Sequence, residues 1–177
     1  MRRSPKRPEK SELPEESSLL TPFHIRLVRA LYAEKAAFML IGGHAALVYG
    51  SARTTGDMDL LVRPDRENGE KVIRAFVALG LDCGNLIPED FEGNLILTFG
   101  LEPDAVDIIN RLKGSSYEEV SANAIRMEAI PSLPIMVLDA RDLLKEKRLL
   151  QRDGIKGLSD QMDILSLEAF LKEKEKD

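Results

Sequence analysis

41-IGGHAALVYGSARTTGDMDLLV-62 sets two acidic side chains, Asp57 and Asp59, at the head of a run that otherwise reads as a buried strand. A carboxylate buried without a partner costs several kcal/mol, so a pair of them implies a compensating cation. Alternation along a strand sends residues i and i+2 to one face. Asp57 and Asp59 therefore project together while Met58 points the other way. Hard divalent ions such as Mg²⁺ take carboxylate oxygens and keep waters that a phosphate-bearing substrate can replace. A lone D-x-D also reads as a solvated strand end, so its surroundings decide.

Upstream, Gly42 and Gly43 lack side chains, which lets their amides approach a phosphate, and the helix that follows aims its N-terminus at the same place. Gly-Gly, thirteen residues, then D-x-D at the head of a strand points to a nucleotide beside a metal. Asp107, between Val106 and Ile108 in "AVDIIN", is the best third ligand, because a neighbouring strand can aim its carboxylate at the same point. Arg53 has a rigid fork that matches phosphate oxygens and Thr55 adds a hydroxyl, although Arg53 reads equally well as a loop arginine. Lys147 sits in a charge run with Lys145, Glu146 and Arg148 that is either a solvated helix face or a phosphate contact. His44 reads as a packed polar residue rather than a ligand, and Cys83 as chemically idle.

Working outward, Thr21 and Pro22 mark a helix start ahead of Phe23, Leu27, Val28 and Leu31. "AFMLIGG" reads as a buried strand stopped by the glycines, and "HAALVYG" as a short helix closed by Gly50. "DMDLLV" is the second strand, and Val72, Phe76 and Leu79 place a helix up to Gly80. "NLILTF", "AVDIIN" and residues 124–130 and 135–138 are further strands, with Asp139 capping a helix over "DLLKEKRLLQR". A turn at 154–157 is expected next, then a last helix opened by Ser159 that buries Met162, Leu165 and Ala169.

The 177 residues are 44% hydrophobic, enough for one core, so residues 21–177 read as a single domain. Residues 1–20 read as a disordered tail of mixed charge and no secretory signal. With 25 basic and 30 acidic residues, net charge −5, the total does not advertise a nucleic-acid surface. One cysteine and no apolar run near the roughly 20 residues of a membrane span favour a cytoplasmic protein without a membrane partner.

The stretch "GGHAALVYGSARTTGDMDLLV" resembles the signature of the nucleotidyltransferase superfamily of DNA polymerase β, and its Gly-Gly, Arg-x-Thr, Asp-x-Asp order resembles the AbiEii-like and minimal bacterial members. In AbiEii-like proteins a lysine-bearing helix precedes an arginine and an Asp-x-x-Asp helix. Lys147, Arg152, Asp160 and Asp163 supply that pattern here. Gly43 stands where the superfamily commonly has serine, which removes a hydroxyl from the phosphate grip. The resemblance implies a nucleotidyltransferase fold, α/β with a small mixed sheet flanked by helices and a helical C-terminus. It also implies two Mg²⁺ ions on Asp57, Asp59 and Asp107, with Gly42, Gly43, Arg53, Thr55 and Lys147 holding a nucleoside triphosphate. The reaction implied moves a nucleotide to a hydroxyl of an RNA or protein acceptor, in a toxin–antitoxin setting with a cognate toxin or antitoxin partner. An antibiotic-modifying transferase and a non-catalytic nucleotide-binding partner protein are the alternatives.

Overall fold

The computed structural model describes residues 20–130 and 133–176, so the tail expected over 1–20 lies, apart from Leu20, outside the described residues. Leu20 itself is buried in the core. Thr21 caps α1 (Pro22–Ala33), its side chain accepting the His24 N–H at 3.3 Å, and Leu27, Val28 and Leu31 face inward. The wholly buried β1 (Phe38–Ile41) runs directly into α2 (Gly42–Val48). β2 (Asp57–Val62) follows, then α3 (Arg66–Ala78), whose cap Asp65 accepts the Asn68 N–H at 2.8 Å.

A single 3-10 turn (Pro88–Glu92) leads to β3 (Ile96–Phe99) and β4 (Ala105–Ile109). After α4 (Tyr117–Asn123) come β5 (Ile125–Ile130), β6 (Leu133–Val137), α5 (Ala140–Leu150) and α6 (Gly154–Lys174). Among the described residues, six strands form one mixed sheet in the order β3-β4-β2-β1-β6-β5. β2 lies antiparallel to β1 and parallel to β4, with Asp59 opposite Asp107. The α/β class and mixed sheet flanked by helices follow the sequence reading, with α1 packed on α3, and α2 on α5 and α6.

Two expectations fail. Residues 154–157 form no turn: α6 begins at Gly154, five residues before Ser159. Its buried face is also reversed, with Gly157, Asp160, Asp163 and Leu167 inside and Met162, Leu165 and Ala169 exposed. Cations on α5 and on the loop before β2 draw the acids inward, and the apolar residues on the opposite side of the helix turn outward. Among the described residues no helix is long and apolar enough to cross a membrane.

Candidate metal and phosphate site

Parallel pairing of β2 with β4 puts Asp59 beside Asp107, and Asp57 lies two residues earlier on the same face of β2. One carboxylate oxygen from each of the three lies within 4.8 Å of the others. Their donors are hard oxygens, partly buried, in the spacing a small divalent cation takes. Burial, then the neighbouring Asp57 and Asp107 charges, push the Asp59 carboxyl up to about 7, against smaller opposing effects of Lys147 and the Gly43 N–H. A bound cation would remove that penalty, so the residues present fit a metal. Thr98 on β3 orients Asp107 by donating its hydroxyl to Oδ1 at 2.7 Å.

The two glycines make room for this cluster. Gly42 has φ +64°, and a Cβ there would lie 1.9 Å from Asp59 Oδ2. A Cβ on Gly43 would lie 2.5 Å from Arg53 Nη2 and 2.6 Å from Thr55 Oγ1. The glycine turn is thus a seat for the acid and for the Arg53–Thr55 loop. Gly43 also donates its N–H toward Asp59 Oδ2 at 3.4 Å. Thr55 donates to Asp57 Oδ1 at 3.2 Å.

Two histidines pin the strand ends that carry the acids. His44, on α2, donates from Nδ1 to the Asp57 carbonyl at 2.9 Å, and His24, on α1, donates from Nε2 to the Ala105 carbonyl at 3.1 Å. Asp57 and Ala105 are register partners, and the two rings meet edge to face 5.7 Å apart. His44 is therefore a packed polar residue, as its place in the sequence implies.

Beside the acids lies a buried ionic cluster. Lys147 is 4% exposed, while its neighbours Lys145 and Arg148 face solvent. Its Nζ sits 2.8 Å from Asp160 Oδ1 and 2.8 Å from Asp163 Oδ2. Asp163 also accepts a forked pair from Arg53, both at 2.8 Å, and the Ser51 hydroxyl at 2.8 Å. Arg152 forks onto Asp160 at 2.7 and 2.6 Å. Burial raises the Asp160 and Asp163 carboxyls, but these cations more than offset it and hold both below the usual value.

Three cations against two carboxylates leave the cluster net positive, a few residues from the net negative triad. Lys147 spends two of its three donors on these acids, and Arg53 also gives one to the Thr54 carbonyl at 3.1 Å. A cleft of about 1020 Å³ joins the two clusters and is lined by Gly42, Gly43, Arg53, Thr55, Lys147 and Arg152 together with the three aspartates.

Asp57, Asp59, Asp107, Gly42, Gly43, Arg53, Thr55 and Lys147, the candidate metal and nucleotide ligands from the sequence, line one cleft, although Asp107 is remote in the chain. Thr98, Ser51 and His24 were not singled out. Alternation within "NLILTF" signals that Thr98 shares a face with its pairing partner, but only the β3–β4 register names that partner as Asp107. Cys83 is not among the residues that line the cleft, and its Sγ lies 3.6 Å from the Leu81 carbonyl. Compared with protein-family models and with curated proteins, the chain gives no significant match.

Proposed function

We propose that the chain is a metal-dependent nucleotidyltransferase, with the nucleotidyltransferase fold and the AbiEii-like relationship that its motif resembles. The observation that carries the reading is the convergence of three carboxylates on adjacent parallel strands beside a net positive ionic cluster in one cleft. Polyphosphate with a divalent cation is complementary to such a pair of opposite charges. Mg²⁺, two ions in the full reading, would be held by Asp57, Asp59 and Asp107. When bound, the metal supplies charge stabilisation for the phosphoryl oxygens and the leaving pyrophosphate.

The chain's own residues do the rest. Gly42 and Gly43, by seating Asp59 and the Arg53–Thr55 loop without side chains of their own, would let the phosphates lie against the turn, and Arg53 and Lys147 would offer them their remaining donors. Thr55 orients Asp57. Asp107, held by Thr98, would accept the proton of an acceptor hydroxyl. The acceptor belongs to an RNA or a protein, as in toxin–antitoxin systems with a cognate partner.

The test is calorimetry with each nucleoside triphosphate, with Mg²⁺ and in EDTA, followed by transfer of α-labelled nucleotide to protein and RNA. Metal-dependent binding and labelling, both lost in Asp59→Asn, are expected. Equal affinity in EDTA would overturn the reading.

A further inference from the structure

We propose that a second copy of this chain covers the outer face of α6, pairing the two helices antiparallel. Ile155, Leu158, Met162, Leu165 and Ala169 recur at alternating spacings of three and four, the seam pattern of paired helices. Such a seam is ordinarily buried. Here Ile155 is 84%, Leu158 62%, Met162 47% and Leu165 67% exposed, because the ion pairs of Asp160 and Asp163 commit the opposite side of the helix to the core.

Two observations choose the occupant, and a third its direction. Residues 1–19 hold only Met1, Leu13 and Leu19 as large apolar side chains, too few to cover a stripe of this length. The four large side chains expose on the order of 500 Å² per chain, about 1,000 Å² when doubled, which reaches the lower range of specific interfaces before any rim is added. The flanking charges then select the direction.

A parallel pair would carry the seam on to the exposed Lys172 and set it against Lys172 of the other copy, a like-charge contact, whereas Glu168 is already paired with Arg148 of its own chain. An antiparallel pair instead sets Ile155 on Leu165 of the second copy and Leu158 on Met162, with Ser159 facing Ser159 and Gln161 facing Gln161. No like charges meet, and the two helix dipoles oppose. A twofold axis near residue 160 makes the patch self-complementary. Ile155 also lines the cleft, so Leu165 of the second copy would stand at its mouth.

Light scattering and sedimentation of the full chain over a dilution series starting near about 100 µM test this. A mass near twice 19.7 kDa is expected, falling to the monomer on dilution. Leu158→Glu with Leu165→Glu should be monomeric throughout with an unchanged helical spectrum, since both side chains are already exposed. Gln161→Glu is a milder variant that keeps the seam. It should raise the dimer dissociation constant several-fold at low salt and less at high salt, because only the antiparallel register sets residue 161 against itself. A wild-type monomer at all concentrations, or a Leu158→Glu/Leu165→Glu dimer, overturns the proposal. A Gln161→Glu dimer of unchanged affinity overturns the antiparallel register.

Discussion

Asp59→Asn is expected to stabilise the metal-free protein. The Asp59 carboxyl stands at about 7 in the folded chain against 3.8 for an ordinary aspartate, a gap of about 3 pH units worth about 4 kcal/mol. A carboxyl whose folded value is raised contributes full stability below its unfolded value, and that stability is lost as the pH rises through the folded one. Wild type therefore pays the whole penalty above about pH 7 and progressively less toward pH 4. Asparagine carries no charge but remains a partly buried amide, which returns about 1–2 kcal/mol of the gain. The net gain in EDTA at pH 8 is about 2–3 kcal/mol, a rise in Tm of about 4–12 °C for a chain of this size. It should shrink steadily as the pH is lowered.

His24, whose burial holds it below its usual value, titrates nearby with the opposite sign, so the variant-minus-wild-type difference is the quantity to follow. Thermal melts of both proteins from pH 4 to pH 8, in EDTA and with Mg²⁺ and triphosphate, give that difference. With metal and nucleotide the order should invert, since only wild type gains from binding. A Tm for Asp59→Asn in EDTA at pH 8 that is lower than wild type by several degrees would refute the reasoning, because the carboxylate would then be a structural acceptor.

Lys147→Ala should lower stability by about 3–5 kcal/mol in urea denaturation, since it leaves two buried carboxylates short of a cation; read from the sequence as an exposed helix lysine, it would have cost almost nothing. Gly42→Ala should cost about 1–2 kcal/mol for the left-handed backbone alone and should abolish Mg²⁺ binding in calorimetry, because the new Cβ falls on Asp59 Oδ2. Asp163→Asn should flatten acid unfolding followed by circular dichroism. Its folded carboxyl lies below 3.8, so its stabilisation is complete above that value and disappears as the pH falls through the lower folded one. Asn68→Ala should cost about 2–4 kcal/mol by urea denaturation. Asn68 accepts the Ala37 N–H and donates to the Ala37 and Arg63 carbonyls, which ties the start of α3 to the residues just before β1 and just after β2.

Local chemistry was legible wherever a short-range rule applied. Thr21-Pro22, Asp139 and Gly80 marked helix ends that the structure places there, and the alternation of "DMDLLV" correctly put Asp57 and Asp59 on one face. The α4 helix and the 3-10 turn at Pro88–Glu92 were not read, since each is too short to develop an apolar period. The α6 error has a different cause. Met162, Leu165 and Ala169 make a fair apolar face, and no single-sequence rule says that Asp160 and Asp163 will instead be buried. That choice depends on cations from residues 53, 147 and 152, and buried charge becomes tolerable only once all of them are assembled.

The same dependence explains how a strand bearing two acids can fold without its cation. The triad alone would place three like charges within 4.8 Å in a partly buried cleft. Protonation of Asp59 near neutral pH relieves part of that repulsion. Lys147 lowers it further from the adjoining cluster, while Asp160 and Asp163 hold that lysine in place against its own desolvation. The apo protein is therefore held by a compromise in which the acids are partly neutralised by a proton and partly by a lysine committed elsewhere. Under the proposed function, a divalent ion would replace the proton and free the lysine's influence for an incoming anion. The two charge clusters are thus coupled through Lys147, and metal and polyphosphate should each raise the other's affinity, a reciprocity that calorimetry in both orders of addition would measure.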